Sequence, residues 1–161
     1  MSAMQANASD PVEVAWKGIE LCRRDDWNEG LYWLSQAAAG DEHGHGLPAL
    51  FYCYLGFGVA KYQDQVAHGL RLCKRAVDLE LYQPESYYFL ARTHLLDGDR
   101  RAAFKVVERG LRIDATHGDL LELKNELGER RKPLISWLPR RHPVNRLLGK
   151  ARHRLLGSKH R

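Results

Sequence analysis

The residues best placed by type and spacing to do chemistry are Asp41-Glu42-His43-Gly44-His45-Gly46, where two carboxylates and two imidazoles fall within five positions, the donor set of a divalent-metal site. A His-x-His in a Gly-rich loop lacks the rigid geometry and supporting hydrogen bonds such a site needs, so the expectation is a solvated loop and no bound metal. Cys22, Cys53 and Cys73 are odd in number and lack metal-ligand spacing; each sits in an apolar helical pattern and reads as a reduced core residue. His94 reads as a packed, hydrogen-bonded histidine rather than a base. There is no Gly-rich phosphate loop, nucleophile elbow or zinc-binding Cys pair, and Gly56-Phe57-Gly58 falls inside a predicted helix rather than after a strand. Asp25, Asp26, Asp97 and Asp99 stand where turns and helix caps want them. The residues point away from an enzyme and imply no cofactor.

The elements that would position any site are helical. Gly and Ala recur on helical faces at a period of about 34 residues. In residues 84–116, Tyr87, Leu90, Ala91 and His94 follow i, i+3, i+4, i+7; a Gly98-Asp99 turn comes next, and then a second helix bears Ala103, Val107, Gly110 and Leu111. Small residues at Ala91, Ala103 and Gly110 let two antiparallel helices approach closely. Residues 11–44 repeat the pattern with Gly18, Gly30, Leu34 and Ala37, and residues 49–83 repeat it with Gly56, Gly69, Cys73 and Ala76, the second turn carrying one extra residue near Lys61 to Asp64. Residues 117–130 place Leu120, Leu123 and Leu127 on one face, the pattern of a capping helix on an open stack. The first ten residues are expected to be disordered and to carry no secretory signal.

This spacing resembles the tetratricopeptide repeat, over about 120 of the 161 residues. The resemblance implies an all-α solenoid of three helical hairpins with a capping helix, and a ligand-binding groove lined by the first helix of each pair. Position by position it assigns to that groove Ala15, Ile19 and Cys22, then Leu50, Cys53 and Phe57, then Tyr88, Arg92 and Leu95. Members that hold chaperone C-termini use Lys, Asn and Arg at positions that here carry Ala15, Ile19, Tyr54, Glu85 and Phe89, so the carboxylate clamp is missing. The implied function is a non-enzymatic adaptor that binds a hydrophobic peptide or helix. The small three-repeat chaperones of bacterial secretion systems, which hold an exported client, are a second reading.

Charge divides the chain. All 20 Asp and Glu and 14 of the 25 Lys and Arg lie in residues 1–129, a net of −6, while the last 32 residues hold 11 Lys and Arg and no acid. In this basic tail, 131–161, Pro133, Pro139 and Pro143 favour an extended PLISWLP segment. Beyond it, Val144, Leu147, Leu148, Ala151 and Leu155 make a short basic amphipathic helix. Trp137, Arg140, Arg141, Arg146, Lys150, Arg152 and Arg154 are its candidate contacts: with an anionic membrane surface, with nucleic-acid phosphates, or with an acidic protein surface. The alternative is that Leu134, Ile135, Trp137 and Leu138 fold back over the repeats. No stretch is apolar enough to span a bilayer, and the reduced cysteines fit a cytoplasmic protein.

Overall fold

Three tight turns organise the chain, alike in length and in the backbone of the middle residue. Each is three residues long and its middle residue has a positive φ: Asp25 (67°), Asp64 (56°) and Gly98 (80°). At the first, Asp25 N–H donates to the Cys22 carbonyl and Asp26 N–H to that of Leu21; at the third, Gly98 and Asp99 donate to Leu95 and His94, the paired bonds of a helix C-terminus closed by a left-handed residue. Asp26 and Asp99 then cap the next helix, accepting from Glu29 N–H (3.3 Å) and from Ala102 N–H (2.9 Å), so one short segment ends one helix and starts another.

The computed structural model describes residues 10–41 and 46–128. They form seven helices: α1 (Pro11–Arg23), α2 (Trp27–Gly40), α3 (Ala49–Tyr62), α4 (Val66–Leu79), α5 (Pro84–Leu96), α6 (Arg100–Ile113) and α7 (Gly118–Gly128). They lie in one unit, Met1–Leu127, which α7 outruns by a single residue. The architecture is all-α, with no strand among the described residues. The extra residue of the second repeat lies inside α3, not in the turn: α3 has 14 residues where α1 and α5 have 13, and its last turn widens so that Gln65 N–H reaches the Val59 carbonyl. Asp10 is the N-cap of α1, accepting from Val12 N–H at 3.0 Å, and so belongs to the folded part.

Helices pair in sequence, α1 with α2, α3 with α4 and α5 with α6, and the pairs stack through α3 against α1 and α2 and through α5 against α3 and α4. Glycines set the crossings. A Cβ on Gly18 would meet the Gly30 carbonyl at 3.0 Å, and one on Gly56 would meet the Gly69 carbonyl at 2.8 Å; in the third pair, fully buried Ala91 and Ala103 stand at these positions. Leu120 of α7 fills the space in front of Gly110, with Leu123 and Leu127 also buried, while Arg100 at the start of α6 donates to the last carbonyls of α7, Glu126 (2.7 Å) and Leu127 (3.0 Å). Burial in α3 runs round its whole circumference, eleven of fourteen residues, because four helices surround it.

Candidate binding cleft

A cleft of about 360 Å³ opens among the first helices of the three pairs. Its wall takes Cys22 and Arg23 from α1, Asp25 and Trp27 from the first turn and the start of α2, Tyr54, Phe57 and Lys61 from α3, Glu85, Tyr88, Phe89 and Arg92 from α5, and Asp119 from α7. The i, i+3, i+4, i+7 spacing of Glu85, Tyr88, Phe89 and Arg92 turns one stripe of α5 toward it, and Tyr54, Phe57 and Lys61 do the same on α3.

At one end a polar bridge ties three helices together. Arg23 Nη2 lies 2.8 Å from Glu85 Oε2, Arg23 Nε donates to the Tyr54 hydroxyl at 3.2 Å, and that hydroxyl donates to Glu85 Oε1. Burial and the hydrogen bond to Glu85 push the Tyr54 phenol well above its ordinary value, against the pull of Arg23, so it stays protonated and acts as a donor. The Glu85 hydrogen bond likewise holds Arg23 firmly charged despite partial desolvation.

The floor is aromatic. Trp27 is its hub, with ring centroids 6.0 Å from Tyr54, 5.2 Å from Phe57, 5.7 Å from Tyr62 and 6.2 Å from Phe89, and its Nε1–H donates to Asp25 Oδ1 at 3.0 Å. At the other end Arg92 Nη1 donates to the Tyr88 hydroxyl at 2.8 Å. None of the thiols is activated: burial, with a smaller push from Asp26, takes Cys22 up to about 12, burial takes Cys73 up to about 12, and burial, with the nearby Cys73, also holds Cys53 well above its ordinary value. The arrangement presents a firm aromatic surface with fixed charges at its edge, suited to holding a ligand.

The structure distributes the residues expected in the groove over three environments. Ala15, Ile19 and Cys53 are fully buried and Leu50 nearly so; they hold helices together and present no surface, which corrects their assignment to the groove. The error has a physical cause: α3, surrounded on all sides, hides its inner stripe as well as its outer one, and Ala15 and Ile19 lie on the buried face of α1, which packs against α2 and α3. Cys22 and Phe57 are buried but stand in the cleft wall, Tyr88 and Arg92 stand in it half-buried, and Leu95 packs half-buried on the core outside it. Tyr54, Glu85 and Phe89, which stand at three of the positions a carboxylate clamp would use, line the cleft, and Arg23, Asp25, Trp27, Lys61 and Asp119 line it unanticipated. Opposite charges on Arg23 and Glu85, at the inner ends of their helices, were the readable signal for the bridge. His94 corrects another expectation, because its buried Nδ1 has no hydrogen-bond partner. Residues His43 and His45, and the candidate tail contacts Trp137, Arg140, Arg141, Arg146, Lys150, Arg152 and Arg154, lie outside the described residues. Among the described ones there is no group of three or more His, Cys, Asp or Glu placed to hold a metal, and no helix long and apolar enough to cross a membrane.

Three stacked helical hairpins closed by a terminal helix define the tetratricopeptide-repeat fold, and comparison with solved structures agrees. The chain is similar to the first such domain of Spaghetti (RPAP3), bound to the HSP90 peptide SRMEEVD, with a TM-score of 0.58 at 12% identity over 78% of this chain and 95% of that one. It is similar also to the first domain of human RPAP3 (0.59, 13%, 73% and 89%) and to the second, in complex with the HSP70 peptide SGPTIEEVD (0.59, 12%, 74% and 97%). By sequence, no family model and no curated protein matches. At these identities the likeness is one of fold.

Proposed function

We propose that this protein is a non-enzymatic interaction adaptor, cytoplasmic in location, that holds a hydrophobic peptide or helix of a partner protein in the cleft between α1, α3 and α5. The observation that carries this reading is the cleft itself: a space of about 360 Å³ above an aromatic floor whose rings are largely buried, bounded by a closed polar bridge at one end and by Lys61 and Arg92 at the other. Solved neighbours with the same fold hold peptides, which supports a peptide as the ligand class. Their ligands end in the acidic run EEVD, whereas here Tyr54, Glu85 and Phe89 replace the cationic and amide groups expected of a carboxylate clamp, and a bound segment is anchored chiefly by burial of apolar side chains. The tightly protonated tyrosine and thiols support binding over reaction.

Affinity capture with the full chain from cell extract, identified by mass spectrometry, tests the reading when set beside the Tyr88→Ala/Arg92→Ala variant. Both side chains are half-buried in the cleft wall, so the variant should keep its circular-dichroism spectrum and melting curve. A partner enriched by the parent and lost by the variant is expected. Equal capture by both places recognition elsewhere and overturns it.

A further inference from the structure

Two cations converge on one ring. Lys61 Nζ lies 5.6 Å from the centroid of Phe57 and 4.9 Å from that of Tyr62, and Arg92 Cζ lies 5.5 Å from Phe57 and 5.6 Å from Tyr88. The hydrogen bond from Arg92 to the Tyr88 hydroxyl holds the guanidinium in place without neutralising it. Among the described residues the ion pairs are Arg23 with Glu85 and Arg24 with Glu20; neither Lys61 nor Arg92 has a carboxylate partner. Of the acids that line the cleft, Glu85 is engaged by Arg23 and Tyr54 and Asp25 by the Trp27 indole, while Asp119 of α7 shares the wall with Arg92 without forming an ion pair with it. Aromatic faces offset only part of the cost of two like charges gathered over an apolar surface. Both line the same cleft, where a carboxylate on a bound peptide would find charged donors.

The other flank sets a limit on the charge of the ligand. Asp119, Glu122 and Glu126 of α7, with Tyr88, Arg92 and Leu123, line a smaller recess of about 100 Å³ beside the cleft. A second or third acid on the ligand would run toward these carboxylates and be repelled. Apolar side chains next to the single acid would instead cover Phe57 and Tyr88.

We propose that Lys61 and Arg92 form an anion subsite over Phe57, which selects peptides carrying one carboxylate flanked by apolar residues and disfavours runs of acids. The proposal rests on the cleft being a peptide groove. It lies apart from positions 15, 19, 54, 85 and 89, where a carboxylate clamp would stand.

The test uses the full chain, immobilised, and a library of random dodecapeptides prepared with free and with amidated C-termini. Retained peptides are sequenced, and the best is remade with its acid changed from Glu to Gln, or amidated where the terminus is selected. Affinities are then read by fluorescence anisotropy, with SRMEEVD as the polyacidic comparison. The retained pool should carry one acid beside Leu, Phe, Trp or Tyr and should outbind SRMEEVD. Lys61→Gln and Arg92→Gln should each weaken the acid peptide about five- to tenfold and its neutral counterpart by less, so that the preference for Glu over Gln shrinks. Enrichment in the free-terminus arm alone would identify the carboxylate as the chain end, and enrichment in both arms as a side chain. Retention without preference for Glu over Gln, or a preference that survives the Lys61→Gln/Arg92→Gln double variant, overturns the subsite while leaving the groove standing. Failure of the parent chain to retain any peptide overturns both.

Discussion

Where the two helices of a hairpin cross, single atoms decide the fit. A Cβ at Gly69 would press on the Gly56 carbonyl and reach the Ala60 Cβ at 2.7 Å, and neither neighbour can swing away. Gly69→Ala should therefore cost about 2–3 kcal/mol, seen as a lowered urea midpoint, the overpacking penalty outweighing the gain in helix propensity. At Gly118, where nothing lies within 4 Å, the same change should be neutral or mildly stabilising. Left-handed turn residues give the opposite sign: Asp64 sits at φ 56° where the third turn has Gly98, and Asp64→Gly should raise stability by about 0.5–1 kcal/mol by removing the steric cost of a Cβ there. His94 supplies a pH dependence. Burial, helped by the nearby Lys74 charge and opposed by Asp99 and Asp97, lowers its value in the folded chain below the ordinary 6.5. The unfolded chain then takes up the proton first, so stability is full above pH 6.5 and falls as pH drops through 6.5 toward the folded value. Urea unfolding at pH 7.5 and 5.5 should show a loss that His94→Phe, which cannot titrate, reduces.

Helix positions were legible because each hairpin repeats the same punctuation: apolar residues at helical spacing, a three-residue turn with Asp or Gly in the middle, and small residues at the crossing. Surface and core within a helix were not equally legible. On α4 and α6, which bury one stripe around Cys73 and Ala76 or Ala103 and Val107, periodicity separates the faces. On α3, Leu50, Cys53 and Phe57 share a stripe that looks like a groove, yet the stripe beside it is just as apolar and both are buried. The bridge of Arg23, Tyr54 and Glu85 was harder to see, since its members are 31 residues apart along the chain and unite only when three hairpins stack. It couples elements, and its energetics should be non-additive. Tyr54→Phe removes a hydroxyl that bonds both partners and should cost about 1–2 kcal/mol. Combined with Glu85→Gln, the double variant should lose measurably less than the two single losses together, because the Arg23 contact is weakened by either change. Additive losses in a thermal-melt cycle would show the three groups to be independent.

A stack of hairpins touching mainly their neighbours is stable where a repeat has two neighbours and looser where it has one. In this chain the asymmetry is pronounced. α3 is enclosed by α1, α2, α4 and α5, with Phe51, Cys53 and the Gly56–Gly69 crossing at its centre, whereas α7 buries three leucines on one side and leaves Leu121 40% exposed. Opening α3 requires both flanking hairpins to part; opening α7 exposes little beyond Leu120, Leu123 and Leu127. Amide exchange followed by mass spectrometry should therefore be slowest across residues 50–60, at the rate set by global unfolding, and fastest in α7, with α1 and α2 between. The cleft spans this gradient: Phe57 and Tyr54 are anchored in the most stable helix, while Asp119 belongs to the least stable. A ligand seated on the floor and against Arg92 should then slow exchange in α5 and α7 far more than in α3, where little local opening remains to suppress. Equal slowing across all helices would mean instead that the hairpins unfold as one unit and that the cleft has no yielding edge.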